Sequence, residues 1–347
     1  MNRIIEEDVY KIIKENPSLQ NLHDCTFAIT GASGMLGKYI LNTLILLNEK
    51  CNSNIKILAM VRNKKKLEDY IANNDNVSVI IYDVIDKLEY AGDVDYFIHA
   101  ASPASPLIMK SKPFETNLAN SVGTANTLKF CIEKQVKGYL FISSREIYGQ
   151  PNEGQELFFE DGLLGQVDPL FPRNGYAEGK KAAENMCVSA KEEYGLNTKI
   201  VRLAHTYGPF MLIDDGRVQA DFLKNIINNE DIVMKSEGLP IRTYTYVADV
   251  VSAIFKVLLD SKEVVYNISD EDSKVSIKEL AELLVNLYKD RGIKLVTTID
   301  NSNEKGNASF TLGILSSKKI REELKWKPNY SLSDGFKRTV DYLESDN

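Results

Sequence analysis

The sequence predicts an α/β fold in which a doubly wound parallel sheet carries a smaller C-terminal lobe. Apolar strand-like runs alternate with helical segments through the first two thirds of the chain. Nearly continuous apolar strands between helices are typical of a parallel sheet that is covered by helices on both faces. The first run is followed by a glycine-bearing turn and an apolar helix, which indicates a tight strand-to-helix connection at the start of the sheet.

Six strands are predicted in chain order, each a short and mostly apolar run. They cover residues 25–30, 55–61, 77–84, 94–102, 138–144 and 198–204. An amphipathic helix is expected before them, because the N-terminus alternates charged residues with Ile and Tyr at helical spacing. After about residue 207 the alternation weakens, and the last helices are predicted near residues 277–288 and 331–343.

Composition and charge exclude several classes of protein. With 347 residues, 44% hydrophobic and 26% charged, the chain is long enough for one large or two modest domains. A net charge of −7 argues against general attraction to nucleic acid or anionic membranes. No apolar run approaches a membrane span and the N-terminus lacks a secretory apolar block, so a cytoplasmic protein is expected. The four scattered cysteines and three dispersed histidines predict neither disulfides nor a metal site.

The turn TGASGMLG at residues 30–37 predicts a dinucleotide site. It follows a strand and opens a helix, and its three glycines permit a tight turn, close approach of a pyrophosphate and close helix packing. The helix N-terminus offers unpaired N–H groups to the anion. The alternative is a turn with a purely structural role. The cofactor-binding candidates here are Gly31, Ser33, Gly34, Met35, Leu36 and Gly37.

The second strand ends in AMVRNKKK, which bears on the choice between NAD and NADP. An acidic residue there would bind the ribose 2′-OH of NAD, but this position is Arg62. Arg62 is expected to meet a 2′-phosphate or to stack on adenine, which favours NADP, whereas the lysines after it are interpreted as a solvated helix start. Asp83 is a candidate for the adenine amino group or a strand cap. The remaining cofactor candidates follow the third and fourth strands: Val84, Ala100, Ala101 and Ser102.

Tyr176 and Lys180 form a YxxxK pair, whose spacing places both side chains on one helix face. A tyrosine with a pKa near 10 is a poor base at neutral pH, and a nearby ammonium together with the positive charge of the nicotinamide lowers that pKa. Ser144, at a predicted strand end, precedes the pair by about 32 residues. The ordered combination of glycine turn, serine and YxxxK predicts an NAD(P)-dependent oxidoreductase step.

With these motifs the chain resembles the extended short-chain dehydrogenase/reductase family, also called the NAD-dependent epimerase/dehydratase family, from about residue 25 onwards. Within it the chain looks most like UDP-glucuronate decarboxylases. The segments that carry the resemblance are HAASPASP (99–106), VGT (122–124), EIYG (146–149), PRNGYAEGKKAAENMC (172–187), TYGP (206–209), DDGRV (214–218) and RTYTYVADV (242–250).

The resemblance implies a Rossmann-type domain and a nucleotide-sugar substrate. It favours NAD as the cofactor, whereas Arg62 favours NADP. From the same resemblance we expect an N-terminal helical extension over 1–24 and a dinucleotide-binding domain over 25–205, with a return segment near 243–260. Residues 206–347 would mainly form the nucleotide-sugar-binding lobe. Relatives of this type serve polysaccharide biosynthesis. Their paired helices, corresponding to residues 116–135 and 176–194, form a four-helix interface, so a homodimer is expected.

The resemblance also implies the first chemical step, oxidation of the sugar C4 hydroxyl with hydride transfer to the nicotinamide. Ser144 would bind the C4 oxygen, Tyr176 would remove the hydroxyl proton, and Lys180 would hold the cofactor ribose. The 4-keto group then activates a neighbouring C–H bond or carboxylate. Glu146 stands where decarboxylases and 4,6-dehydratases carry an acid–base glutamate. The alternative role of Glu146 is a structural one, in which it forms a salt bridge to Arg145.

Arg145 departs from the family pattern, because the dehydratases have aspartate there and the decarboxylases serine. Its presence argues against a standard dTDP-glucose 4,6-dehydratase. If the segment is extended, Arg145 and Glu146 point to opposite faces and need not pair. Arg145 could then serve structure, bind a substrate carboxylate or lower the pKa of the glutamate, and the sequence leaves these three roles open.

Other departures weaken the glucuronate assignment. Ile108, Met109 and Leu118 replace polar residues of the decarboxylases, and His205 replaces the usual asparagine of the turn before TYGP.

Several residues are candidates for binding the substrate. Arg217 and Arg242 match arginines that clamp the nucleotide pyrophosphate, a role that suits bidentate guanidinium contacts. Arg173 could reach the sugar or diphosphate, and the remaining candidates are Pro103, Arg145 and His205.

Two further functions stay open alongside the decarboxylase- or dehydratase-like lyase. One is a nucleotide-sugar 4-epimerase or 4-reductase in which Glu146 is structural. The other is a non-catalytic nucleotide-sensing domain. The presence of Ser144, Tyr176 and Lys180 argues against the sensing domain.

Overall fold

The computed structural model describes residues 1–162, 164–298 and 313–345. Its α-helices are α1 Arg3–Glu15, α2 Pro17–Gln20, α3 Met35–Cys51, α4 Asp69–Ala72, α5 Pro106–Ser111, α6 Pro113–Lys134, α7 Gly175–Tyr194, α8 Val218–Ile227, α9 Val247–Asp260, α10 Ile277–Leu287, α11 Lys318–Leu324 and α12 Leu332–Ser345.

Fourteen short strands accompany these helices in the described residues. They are β1 Thr26–Thr30, β2 Lys56–Val61, β3 Val77–Ile81, β4 Tyr96–His99, β5 Gly138–Ser144, β6 Leu157–Phe158, β7 Thr198–Leu203, β8 His205–Tyr207, β9 Ile232–Met234, β10 Ile241–Tyr246, β11 Val265–Ile268, β12 Lys274–Ser276, β13 Leu295–Thr297 and β14 Ile314–Leu315.

Seven of these strands form the central sheet, in the order β11-β7-β5-β4-β1-β2-β3. Every neighbouring pair in it is parallel. The six predicted strands are all present, and the predicted doubly wound α/β fold is confirmed. The seventh strand, β11, comes from the C-terminal part of the chain and was not predicted. It follows α9, so the return of the chain to the sheet extends past the expected 243–260 segment.

Two predicted strands are clearly shorter in the structure. β3 ends at Ile81, two residues before Asp83, and β4 ends at His99 rather than Ser102. The chain therefore leaves the sheet before it reaches the candidate cofactor residues. This places those residues in loops at the carboxyl edge, where open α/β sheets bind ligands.

The order of the strands creates a crevice at the centre of the sheet. β1 lies between β2 and β4, and the chain builds β2 and β3 on one side of it, then β4, β5 and β7 on the other. The direction of winding thus changes between β1 and β4. Ligands of open parallel sheets bind outside such a switch point.

The helix that follows β1 is almost fully buried. Most side chains of α3 are apolar, and it packs in the core that also contains α1 and α9. Helix α1 presents Ile5, Val9, Ile12 and Ile13 to this core at helical spacing, as its amphipathic sequence predicts.

A buried carboxylate fastens α1 to three distant parts of the chain. Asp8 accepts hydrogen bonds from the hydroxyls of Tyr39 (2.9 Å), Tyr246 (2.7 Å) and Tyr330 (2.8 Å) and forms an ion pair with Arg338 (2.8 Å). Burial raises the pKa of Asp8, although Arg338 opposes that shift. The extension is therefore tied to α3, β10 and the C-terminal segment.

A smaller lobe lies beyond the carboxyl edge. It contains the sheet β12-β10-β8 and the pair β13-β9. In β8 and β10, His205 lies opposite Tyr244 and Tyr207 opposite Tyr246. In the part of the chain that the structure describes, no helix combines the length and the apolar character needed to cross a membrane.

Candidate active site

The glycine turn forms a narrow cradle between β1 and β4. Gly31 has φ +68°, and a Cβ atom there would lie 2.8 Å from the carbonyl carbon and oxygen of Ala100. A Cβ at Gly37 would overlap the Gly31 carbonyl, which explains the close contact of helix and turn.

Helix α3 begins on this cradle without a side-chain cap. Gly34 is its N-cap residue, in extended conformation, and no side chain accepts from the first N–H groups. Those groups are therefore available to an anion. A Cβ at Gly34 would meet only the Gly31 carbonyl oxygen, at 3.3 Å, so the cradle is open on that side. This arrangement fits the pyrophosphate of a dinucleotide.

The other residues of the turn are partly buried. Met35 and Leu36 pack on the core, and Ser33 is half-buried. Their contact with a cofactor stays a prediction.

The loop after β4 forms the opposite wall of the cradle. The Ala101 amide donates to the Thr30 hydroxyl (3.3 Å), which holds the loop beside β1. The Ser102 hydroxyl donates to Asn120 in α6 (2.8 Å), so this candidate is engaged within the chain. Pro103, the next residue, is half-buried.

Arg62 lies exposed just beyond β2. Asn63 caps the following short 3₁₀ turn by accepting from the Lys65 amide (3.0 Å). Asp83 is half-buried and lies in the turn after β3, and Val84 is buried against Gly123. Because the position at the end of β2 is Arg62, no carboxylate there accepts a hydrogen bond from a ribose 2′-OH.

Ser144, Tyr176 and Lys180 come together at the carboxyl end of β5. The Tyr176 phenol is hydrogen-bonded to Ser144. Lys180 Nζ lies 5.9 Å from the centroid of the Tyr176 ring and donates to the Ile142 carbonyl (2.7 Å). One turn of α7 therefore places the phenol and the ammonium beside the end of the strand, as the YxxxK spacing predicts.

The residues around Tyr176 do not by themselves lower its pKa. Burial and the charge of Glu146 raise the pKa of Tyr176 to about 12, although the hydrogen bond from Ser144 and the charges of Arg217 and Arg173 act in the opposite direction. Burial also lowers the pKa of Lys180 to about 7. The expected lowering, which counted the ammonium together with the positive charge of a bound nicotinamide, stays a prediction, and burial opposes it.

Glu146 forms a buried ion pair with Arg173. Arg173 donates to both carboxylate oxygens, from Nη1 at 2.6 Å and from Nη2 at 3.0 Å. The two residues are 9% and 8% exposed. The predicted alternative partner, Arg145, was wrong, and so was the extended geometry: Arg145–Tyr148 form a 3₁₀ turn whose cap is the Ser144 hydroxyl, which accepts from the Glu146 amide (3.2 Å).

Arg173 therefore reaches the candidate acid–base residue, and no contact with a sugar or diphosphate is needed to explain its position. It lies in the 3₁₀ turn Pro172–Asn174 just before α7. The bidentate pair links this turn to the end of β5. Each carboxylate oxygen of Glu146 keeps a second lone pair that a substrate group could use.

Arg145 points to the smaller lobe. Its Nη2 lies 3.1 Å from His205 Nε2, and both residues are departures from the family pattern. Burial and the charge of Arg242 lower the pKa of Arg145 to about 9. The same arginines and burial hold the pKa of His205 well below its ordinary value, with burial as the main cause. His205 is therefore neutral and accepts the hydrogen bond.

The two candidate phosphate arginines differ in their partners. Arg217 forms an ion pair with Asp215 and donates to the Ala104 carbonyl. Arg242 donates to the Ile241 carbonyl (2.8 Å) and has no ion pair within the described ranges. Both arginines lower the pKa of His205, so both lie within electrostatic range of the same pocket.

Sequence reasoning missed a polar network behind the catalytic candidates. Glu184 accepts from Ser143 (2.5 Å) and from Arg202, whose nearest nitrogen lies at 2.7 Å. Arg202 also donates to the Tyr148 hydroxyl (2.8 Å). The sequence does contain a signal for this network, because an arginine in the middle of the apolar strand TKIVRLA requires a buried partner.

Tyr244 is a second residue that the sequence did not single out. Its ring stacks on His205 with centroids 5.4 Å apart, and its hydroxyl is buried. The aromatic alternation of RTYTYV indicated a strand, but nothing in it marked which tyrosine faces the site.

The fold and this constellation define a dinucleotide-dependent enzyme of the short-chain dehydrogenase/reductase type. Comparison with known proteins gives the family: the model of the NAD dependent epimerase/dehydratase family matches residues 27–269. The chain belongs to this family. The predicted use of NAD or NADP and the resemblance stated above are thereby confirmed.

Relatives with similar sequences include decarboxylases. The chain is 30% identical over 309 residues to UDP-glucuronic acid decarboxylase 6 of Arabidopsis thaliana, which covers 88% of this chain and 85% of the relative. It is 27% identical over 320 residues to UDP-glucuronic acid decarboxylase 1 of Xenopus tropicalis, covering 92% and 72%.

Solved structures share the fold at lower identity. The UDP-glucose 4-epimerase of Thermotoga maritima, solved with UDP-glucose, has a TM-score of 0.77 at 22% identity and covers 92% of this chain and 99% of its own. The UDP-glucuronic acid 4-epimerase of Bacillus cereus, solved with UDP-glucuronic acid and NAD, has a TM-score of 0.76 at 19% identity, covering 93% and 100%.

Proposed function

We propose that the protein modifies a nucleotide-diphosphate sugar, first oxidising the sugar C4 hydroxyl and then releasing carbon dioxide or water, as a UDP-glucuronate decarboxylase-like lyase. The observation that carries this proposal is the Ser144–Tyr176 hydrogen bond with Lys180 beside it, at the same sheet edge as the glycine cradle. An intact proton-transfer group next to a dinucleotide cradle supports an enzyme over a sensing domain.

Each residue of this group has a defined part in the first step. When bound, the nicotinamide cofactor supplies the hydride acceptor. Ser144 and Tyr176 hold the C4 oxygen through their hydroxyls, and Tyr176 takes its proton. Lys180, one helical turn away, would in its protonated form stabilise the Tyr176 phenolate that accepts this proton, and it would hold the cofactor ribose.

The second step would use Glu146, which lies two residues after Ser144 on the turn that ends β5. Its carboxylate is the acid–base group near the sugar that both decarboxylation and dehydration need. The decarboxylase relatives favour loss of the carboxylate. Arg145 adds to this preference, because a cation stands where a dehydratase needs an acidic proton donor.

One observation favours the alternative of a nucleotide-sugar 4-epimerase or 4-reductase. Both oxygens of Glu146 are bound by Arg173, so the glutamate has a complete structural role without substrate. An enzyme of that kind needs only the first step and the return of a hydride. A 4-reductase would consume NADPH stoichiometrically, whereas an epimerase or decarboxylase would regenerate its cofactor.

The cofactor preference, the division of the chain and its location are further parts of the proposal. Arg62, exposed where NAD-specific enzymes carry an acid, supports NADP. Residues 25–205 would bind the cofactor, residues 206–347 mainly the nucleotide sugar, and residues 1–24 would brace both through Asp8. The cysteines are free thiols, which supports a reducing, cytoplasmic location.

A homodimer is supported by the surface of two long helices. α6 and α7 pack side by side, and each exposes a valine, Val122 at 39% and Val188 at 48%. A second copy would complete a four-helix bundle. Sedimentation at micromolar concentration should show a species of twice 39.1 kDa, and a monomer alone would refute the dimer.

A product screen by mass spectrometry tests the activity. The purified protein is incubated with NAD⁺, and separately with NADP⁺, and a panel of UDP-, GDP-, CDP- and dTDP-sugars that includes UDP-glucuronate. Loss of carbon dioxide from UDP-glucuronate would establish the decarboxylase. Loss of water from a neutral sugar would establish a dehydratase, and an isomer of unchanged mass the epimerase. No product from any sugar, with cofactor bound, would overturn the proposed function.

A further inference from the structure

Arg145 carries a buried positive charge that forms no ion pair with any acid of the described residues. The residue is 5% exposed, and its Nη2 donates to neutral His205 at 3.1 Å. Its Nη1 is buried and has no hydrogen-bond partner among the described residues. A guanidinium does not lose its proton readily, so an unpaired one in the interior is a costly arrangement that structures retain for a reason.

The surroundings of Arg145 add positive charge. Arg242 lies close enough to lower the pKa of Arg145, and Glu146 is the acid that raises it. Both oxygens of Glu146 are already bound by Arg173. No salt bridge to Arg145 or Arg242 occurs in residues 1–162, 164–298 and 313–345, so the charge of this pocket is uncompensated within that part of the chain.

A second buried donor faces the same place. The Tyr244 hydroxyl is covered, and the described residues give it no hydrogen-bond partner. Burial raises the pKa of Tyr244 to about 12, while the charges of Arg242 and Arg145 act in the opposite direction. The phenol is therefore protonated and able to donate. Two unsatisfied donors, together with the Arg242 cation, lie between the catalytic turn and β10 and form the lining that an oxyanion requires.

We propose that Arg145, with Arg242 and the Tyr244 hydroxyl, forms an oxyanion subsite for the substrate. The inference rests on the proposed function, because the anion belongs to a nucleotide sugar whose C4 oxygen lies at Ser144, the residue before Arg145. A planar guanidinium matches the two oxygens of a carboxylate or of a phosphate. The source is thus either an acidic group on the sugar or the diphosphate of the nucleotide.

Calorimetric titration with three ligands separates these sources. Wild type, Arg145→Met and the remote control Arg3→Met are titrated with UDP, UDP-glucose and UDP-glucuronate, each in the presence of saturating NAD⁺. A charge-assisted contact is worth about 1.5–3 kcal/mol, so Arg145→Met should weaken binding about ten- to a hundredfold. Loss for UDP-glucuronate alone identifies the sugar carboxylate, and equal loss for all three identifies the diphosphate.

The failures of the subsite and of the proposed function are distinguishable. If wild type binds these ligands and Arg145→Met binds them equally well, the subsite is wrong and the function stands. If wild type binds NAD⁺ but none of the three ligands, both proposals fail for uridine nucleotides.

The melting temperature without ligand tests whether Arg145 has only a structural role. Since an unpaired buried cation destabilises the fold, Arg145→Met should unfold at the same temperature as wild type or higher. A lower Tm for Arg145→Met would show that Arg145 stabilises the folded chain and would overturn the proposal. Arg145→Lys retains the charge without the planar fork and should recover only part of the lost affinity.

Discussion

The cofactor side and the substrate side of the site differ in how completely the chain satisfies its own polar groups. On the cofactor side, Tyr176 is bonded to Ser144, Lys180 to the Ile142 carbonyl and Ser102 to Asn120. On the substrate side, donors of Arg145 and Tyr244 are buried without partners among the described residues. The first side is held ready by internal bonds, whereas the second has positive charge that only an added anion would balance.

The boundary between the two sides is the pair Glu146–Arg173. Arg173 donates to both oxygens of this carboxylate and Arg145 donates to neither, although both arginines lie near it. The type of residue therefore does not decide the role of these two arginines. Their hydrogen-bond partners decide it: Arg173 holds the candidate acid–base group, whereas Arg145 has a donor left for a ligand.

The largest effect is expected from Tyr176→Phe, which breaks the cofactor side at its proton-transfer group. Removal of a general base typically costs about 10²–10⁴-fold in rate. Turnover of the best substrate in the product screen should fall by that factor, and cofactor affinity should stay nearly unchanged because the ring remains. Retention of activity would refute Tyr176 as the base.

Arg173→Met tests whether the boundary pair is as complete as its geometry suggests. Removal of one partner of a buried ion pair typically destabilises a protein by about 3–5 kcal/mol, because the other charge is left unpaired. Urea unfolding should show a loss of this size, and Glu146→Gln in the same background should restore part of it. Full stability of the single variant would mean that Glu146 finds water or another partner, and the contrast with Arg145 would weaken.

Arg62→Asp sharpens the comparison within the cofactor side. An acid at the end of β2 repels a 2′-phosphate and accepts from a ribose 2′-OH. The ratio of NADP to NAD affinity should fall by about tenfold or more. Lys66→Asp, a charge change of the same size on the exposed turn nearby, is the matched control. An equal change of the ratio in both variants would assign the effect to general electrostatics.

The cofactor side could be predicted from the sequence because its signals are local. The glycine spacing, the YxxxK pair and the strand-end serine each specify geometry within a few residues, and the parallel sheet then brings their ends together. His205 was a candidate for the same reason, since its turn matches a short motif. These positions were found at the correct edge without any knowledge of long-range contacts.

The substrate side could not be predicted to the same depth because its contacts are non-local. Glu146 and Arg173 are 27 positions apart, and Arg145 and His205 are 60 apart. The local assumption of an extended segment placed Arg145 and Glu146 on opposite faces, whereas the 3₁₀ turn directs them to different partners. Whether a given arginine is left unpaired depends on all the charged residues around the site. A short motif does not contain that information.

The last effect is a pH dependence at Lys180, whose ammonium has a hydrogen-bond partner but is not among the ion pairs of the described residues. Burial lowers its pKa from the ordinary 10.5 to about 7 in the folded protein. Below pH 7 the group is protonated in both the folded and the unfolded chain, and its burial fully opposes folding. Between about pH 7 and pH 10.5 the unfolded chain binds the extra proton, so this contribution to stability rises with pH and then levels off.

Lys180→Met removes this titration and leaves a side chain of similar length. The free energy of unfolding of wild type, minus that of the variant, should increase as the pH is raised from 7 towards 10. The lost hydrogen bond to Ile142 shifts the difference by a constant, so the slope against pH is the quantity to measure. Lys181→Met, at the partly exposed neighbour on the same helix, should give a flatter profile. A difference for Lys180→Met that does not change with pH would show that the ammonium is as well solvated in the folded chain as in the unfolded one, and the cofactor side would then be balanced in charge as well as in hydrogen bonds.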